Sequence, residues 1–371
     1  MLFRSQTAKT DGHSAYNYSA AAFQQALTGR SFFKLSVLNR QGVDKLKLSK
    51  TDYARDLGGE YSFTSKNNKW DAWLLLHHSI HPNVKSQNNY AEAGFWYHNE
   101  TWQFLNQTGL VGSNYSSGME FFQRLDNYDA LRDTTLKIGY KQNASIFWYN
   151  YIPKNTKYIT NNSFQAMVQF VFNPDNSFND RVLHIENMVQ FKSTATLTLQ
   201  IDNEDSRLPV HTAFTDYTPL PPAKYVFTNG AVQYSTDRRK KFIFNTRVGA
   251  GEFYNGKALS MNAGFTYRLT PIGVFGLRFE RYDLQFPEPY KRSLLYLVNS
   301  KSEFSFTKNL IWTTFLQYNT QANNFNINSR LQWRYKPMSD LFIVFTDNHG
   351  TLPFEKKNRA LVLKMNYWLN Q

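Results

Sequence analysis

The chain has 371 residues, with 42 Lys and Arg against 28 Asp and Glu, a formal net charge of +14 and no cysteine, which excludes disulfide scaffolds, thiolate zinc sites and cysteine nucleophiles. Hydrophobic residues make up 42% and aromatics 17%, so composition excludes a disordered chain. The mean hydropathy is −0.54, and no stretch approaches the ~20 apolar residues of a helical span; a transmembrane β-barrel, whose strands are half polar, is not excluded.

The first segment, Met1 to Ala22, carries Arg4 and Lys9 but lacks the roughly 7–15-residue apolar core of a signal peptide. Residues 1–14 are expected to be a non-native or disordered edge, and residues 15–371 a single barrel domain. Strands are predicted near 15–27, 30–39, 56–66, 69–79, 89–98, 101–111, 132–141, 144–152, 160–172, 181–201, 223–235, 239–249, 257–268, 272–282, 294–306, 309–319, 325–336, 340–347 and 359–370. The signal is period-2 alternation, because successive side chains of a strand point to opposite faces. Phe164, Ala166, Val168, Phe170 and Phe172 are interleaved with Gln165 and Gln169. Met261, Ala263, Phe265, Tyr267 and Leu269 alternate with Asn262, Thr266 and Arg268. Phe325, Ile327, Leu331, Trp333, Leu361, Leu363 and Met365 are expected to face lipid, and Asn328, Arg330, Gln332, Arg334 and Lys364 the interior. Many runs reach about 9–12 residues, enough for a tilted strand to cross a bilayer and longer than the ~5–6 of soluble domains. Aromatics crowd the strand ends as an interfacial girdle would: Trp70 and Trp73, Trp96 and Tyr97, Trp148 and Tyr149, Tyr367 and Trp368.

Tight connections, at Thr28-Gly29, 66–68, Asn99-Glu100, Gln142-Asn143, Thr270-Pro271, Thr307-Lys308 and 337–339, largely alternate with long ones at 40–55, 80–88, 112–131, 153–159, 202–222, 250–256, 283–293 and 348–358. Outer-membrane barrels segregate short periplasmic turns from long external loops in this way. The fold class is therefore all-β: an antiparallel transmembrane β-barrel of roughly 16–20 strands. The first strand would start on the long-loop side, whereas single-chain barrels have even strand numbers and both ends in the periplasm. An N-terminal strand is accordingly expected to be missing, leaving an unpaired edge on 15–27 or on Leu361 to Leu369.

Candidate chemistry is sparse, and no catalytic residue, metal or cofactor is assigned. His77 and Ser79 share a strand face, with His78 opposite and His81 beyond; a lipase-like serine–histidine pair on a lipid-facing wall is the chemistry they would permit. Asp202, Glu204 and Asp205 fall in a predicted loop, and three carboxylates suit a hard cation such as calcium. The basic run Asp237 to Lys241 is expected at a turn, as a rim meeting lipid phosphates. Lumen-facing candidates are Lys192, Lys241, Arg247, Arg268, Arg278, Glu280, Arg330, Arg334 and Lys364, a net positive lining that would favour anionic solutes.

The segments Asn328 to Asn348 (NSRLQWRYKPMSDLFIVFTDN) and Asn358 to Trp368 (NRALVLKMNYW) resemble a Bacteroidota family of C-terminal outer-membrane β-barrel domains found after a family-9-type carbohydrate-binding module. Leu57 to Ser79 and Gly109 to Tyr128 also resemble parts of that family, although its specific motifs cover only the last ~45 residues. The module itself is absent from these residues, and the family supplies no catalytic residues to carry over.

Together these readings imply a barrel in the cell outer membrane, acting as a pore, an anchor or a platform for a periplasmic domain. An integral outer-membrane hydrolase using His77 and Ser79, or a soluble all-β binding protein, are the alternatives. The expected partners are outer-membrane lipid and lipopolysaccharide, with an anionic solute or glycan, and no nucleic acid.

Overall fold

The computed structural model describes residues 2–7, 15–44, 47–118, 122, 124–351 and 355–368. The first half of the chain forms β1 (Leu2–Gln6), β2 (Ala15–Ala26), β3 (Phe32–Asp44), β4 (Lys47–Thr64), β5 (Trp70–Ile80), β6 (Asn89–His98), β7 (Trp102–Val111), β8 (Asp126–Asp129), β9 (Thr134–Lys137), β10 (Tyr140–Tyr151) and β11 (Ile159–Phe172). The second half forms β12 (Phe178–Phe191), β13 (Thr196–Arg207), β14 (Lys224–Ser235), β15 (Phe242–Phe253), β16 (Gly256–Leu269), β17 (Gly273–Gln285), β18 (Arg292–Thr307), β19 (Leu310–Asn319), β20 (Asn324–Lys336), β21 (Ser339–His349) and β22 (Lys356–Met365). Among the described residues twenty strands make one sheet and β8–β9 a separate hairpin. Each strand pairs antiparallel with its neighbour in the chain, except that β7 passes over the β8–β9 excursion to pair with β10. No helix occurs among the described residues.

Strand parity differs from the expectation, for a simple reason. Residues 2–6, expected in a disordered edge, form β1 and pair with β2 from Leu2↔Ala21 to Gln6↔Asn17; Met1 and 8–14 lie outside the described residues. With β1 included, the sheet has an even strand number, and the start of β1 and the end of β22 lie at the same, short-turn end. β1 thus accounts for the odd count. The predicted strand 181–201 is two, β12 and β13, turned at 192–195, where Thr194 adopts φ 65°. Gln142 and Asn143 sit within β10 rather than in a turn, paired to β7 on one side and β11 on the other. Residues 132–141 do not form a wall strand either, because β9 lies in the hairpin and β10 begins only at Tyr140. Most of 40–55 and the first part of 202–222, up to Arg207, expected as loops, are strand, because β3, β4 and β13 extend beyond their apolar runs.

Side-chain exposure follows the register. Phe33, Leu35 and Val37 of β3, Leu74 and Leu76 of β5, and Leu361, Leu363 and Met365 of β22 are exposed on the outer face. Trp70 with Tyr97, and Trp102 with Tyr149, pack with tilted rings on that face near the short-turn end, with centroids 4.8 and 4.6 Å apart. The expected girdle is therefore real but half as dense. Trp73, Trp96 and Trp148, the alternate members of those pairs, point inward, and the Trp73 and Trp148 indoles donate to Glu92 and Gln165. A continuous exposed band of this size would aggregate in water, which removes the soluble all-β alternative. Among the described residues no ladder joins β1 to β22. Each has one partner strand, and β22 is exposed along its whole length. The expected edge near Leu361 is thus present, while Leu369 lies outside the described residues.

Candidate functional site: a roofed lumen with divided charge

Register places the inward side chains, and their charges divide by arc. From β4 to β13 the inward set is acidic: Asp56, Glu60, Asp71, Glu92, Glu186, Asp202 and Glu204. From β15 to β22 it is mainly basic: Arg247, Arg268, Arg278, Lys301, Arg330, Arg334 and Lys364, with Glu280, Glu303 and Asp340 between them. The predicted inward residues Arg330, Arg334 and Lys364 thus lie where alternation puts them, opposite Val344, Asp340 and Phe342. Lys192 and Lys241 do not line the lumen; they sit at the short turns 192–195 and 236–241. A uniformly positive lining is corrected to a divided one, because the acids of the first arc lie on strands where no lumen charge was expected.

Local partners tune each arc. Lys34 Nζ meets Glu60 at 3.0 Å, His98 meets Asp71 at 2.9 Å, and His184 meets Asp202 at 2.6 Å. Gln200 donates to Asp202 and accepts from Arg247, so one network bridges the arcs. On the basic arc, Arg278 Nε lies 2.6 Å from Glu280 and Arg334 3.2 Å from Asp340. Arg330 and Lys364 have no ion-pair partner among the described residues.

At the long-loop end, segments fold inward and roof the lumen. Val111, Tyr115, Leu125, Tyr140 and Val171 form one buried cluster, joined by Tyr90 and Phe122. Leu208, Leu220 and Phe286 form a second, with Phe214, Phe253 and Tyr254 against it. Ala130 N donates to His211 O at 2.8 Å and ties the two together, while Thr215 Oγ1 donates to Tyr290 O at 3.0 Å within the second. Arg124 pairs with Asp180, and burial pushes its guanidinium below the ordinary range. The keystone is Asp56, fully buried, which accepts from the Tyr115 hydroxyl at 2.9 Å and bonds His77 Nδ1 at 2.7 Å.

His77 and Ser79 share a face as expected, but that face is lumenal and not lipid-facing. Ser79 is closed to solvent; its hydroxyl donates to Asn88 O and accepts from Ser116 N, both at 3.2 Å. In this arrangement Ser79 fastens the roof. Asp202, Glu204 and Asp205 lie in β13 and not in a loop. Asp205 faces outward to Lys224 Nζ at 3.0 Å while the other two face inward, so the three cannot converge on a cation. No group of three His, Asp or Glu suited to a metal exists among the described residues. Residues 237–241 form the expected turn, where Asp237 binds the Arg239 guanidinium at 2.9 Å. Those hydrogen bonds hold the Asp237 carboxyl far below the usual carboxylate range.

No family model matches the chain, and no curated protein does. Among solved structures it is similar to the siderophore receptor PirA from Pseudomonas aeruginosa, with TM-score 0.60, 11% identity, and 98% of this chain and 72% of that one covered. A ferric enterobactin receptor mutant from the same organism gives TM-score 0.57 and 9% identity, over 94% and 67% of the two chains. PirA from Acinetobacter baumannii gives 0.55 and 10%, over 97% and 68%. At such identities the likeness is one of fold: an outer-membrane barrel. With the exposed apolar band and the aromatic girdle, that fold puts the chain in an outer membrane.

Proposed function

We propose that this barrel passes polar solutes across the outer membrane, with the divided lumen as filter and the inward-folded loops as a gate. The observation that supports this best is the segregation of acids on β4–β13 from bases on β15–β22. Several of these charges have local partners, but the excess of acid on one arc and of base on the other sets a field across the lumen that orients a dipolar or anionic solute, which a wall meant only to anchor the protein does not need. Single-channel recording in a planar bilayer tests it. Conductance steps are expected, with a reversal potential that moves toward cation preference in Arg330→Glu; a silent bilayer, even after the roof is released by Asp56→Asn, overturns it.

One observation favours a second role alongside the first. β1 begins at the short-turn end, so a domain preceding it would stand on the periplasmic side, as the resemblance to barrels with an upstream carbohydrate-binding module implies. Outer-membrane lipid and lipopolysaccharide are the partners proposed for the exposed outer band.

A further inference from the structure

The lumen wall between β15 and β18 has a recess of about 460 Å³, within the ~300–1,000 Å³ of small-molecule sites. Register resolves it into rows. Asn245, Gly264, Arg278 and Asn299 lie side by side across four strands. Below them run Ile243, Thr266, Gly276 and Lys301, and then Arg268, Val274 and Glu303. Two glycines, diagonal to each other on adjacent strands, remove the side chains from the middle of the recess. They differ in kind. A Cβ at Gly264 would strike the Asn245 amide at 2.5 Å, so that glycine makes room for a neighbour. A Cβ at Gly276 would meet only backbone oxygens at 3.7 and 3.9 Å, so that glycine leaves space that nothing in the protein uses. Two cations, Arg278 and Lys301, line the space with one carboxylate, Glu303; Arg278 also meets Glu280 at 2.6 Å and Lys301 lies 3.8 Å from Glu303. The amides of Asn245 and Asn299 stand at its upper row.

We infer that this recess binds a sugar bearing one carboxylate or phosphate. Arg278 and Lys301 meet the anion, as charge-assisted donors do, and Asn245, Asn299 and Glu303 satisfy hydroxyls that a bare anion would not have. The site lies on the basic arc, and it rests on the lumen being solvent-filled, as proposed above, but not on solutes crossing the membrane. Binding is therefore measured apart from conduction. Purified barrel in detergent is titrated calorimetrically with glucuronate, glucose 6-phosphate, glucose and inorganic phosphate. The two anionic sugars are expected to bind and glucose not to. Gly276→Leu, which fills the space without a backbone clash, and Lys301→Gln should each weaken binding at least tenfold while melting behaviour stays that of the parent. Binding unchanged in Gly276→Leu, no binding of either anionic sugar, or inorganic phosphate binding as tightly as glucose 6-phosphate would each overturn the assignment. Sugar binding in a barrel that never conducts would leave this site standing and remove the passage reading alone.

Discussion

Replacing Tyr115 by Phe should free the roof without unfolding the wall. The Tyr115 hydroxyl donates to Asp56 at 2.9 Å, and both residues are closed to solvent. A hydrogen bond to a charged group contributes about 1.5–3 kcal/mol. The Tyr115 ring stays packed between Tyr90 and Phe122, at centroid distances of 5.7 and 5.4 Å, so the loss is confined to the fastening. At about 1.4 kcal/mol per tenfold, the open population of residues 112–118 should rise by about 10- to 150-fold. Hydrogen exchange reads this directly at the Ser116 amide, which in the closed roof donates to Ser79 Oγ. Wall amides in β5 and β7 should keep their protection. Tyr90→Phe is the control: its hydroxyl donates to Glu92 at 2.8 Å and does not hold the roof. Equal exchange in parent and Tyr115→Phe, or equal effects of the two substitutions, would refute the argument that Asp56 fastens the roof.

Acid should also loosen the roof. His81 donates from Nε2 to Ser116 O at 2.7 Å, and burial pushes its pKa below the ordinary 6.5. A depressed folded value means that the neutral form's contribution is complete above pH 6.5 and is lost as pH falls through the folded pKa; the Ser116 protection factor, which is corrected for the slower intrinsic exchange of amides in acid, should fall between pH 7.5 and 5, and His81→Gln should abolish that dependence. On the wall, Ile343 faces out and its neighbour Val344 faces in. Ile343→Arg should cost ~2–4 kcal/mol in refolding titrations into vesicles if it lies near the midplane, and Val344→Arg far less. At the short-turn end, Asp237→Asn should raise exchange at the Arg239 amide, which Asp237 holds at 2.9 Å. Because the Asp237 pKa is depressed, its contribution is present above the ordinary carboxylate pKa of ~3.9 and fades in stronger acid, so parent and variant should converge there.

Local chemistry made much of the wall readable in advance. A period of two needs only adjacent residues, so Phe325, Ile327, Leu331 and Trp333 separate from Asn328, Arg330, Gln332 and Arg334 without any knowledge of what pairs with them. The shared face of His77 and Ser79 followed from the same spacing. Where the pattern is too short or does not break, it misled. β1 is only five residues long, and alternation runs through the β12–β13 turn, where Thr194 takes a left-handed conformation with no glycine to mark it. Which way that face points, and what stands across from it, belonged to the tertiary structure. Asp56 and Tyr115 are 59 residues apart, and only the inward fold of the β7–β10 connection brings the hydroxyl to the carboxylate. The divided lumen has the same origin: acids and bases scatter along the chain, and they sort into two arcs only once each strand's register fixes which half of its side chains the barrel encloses.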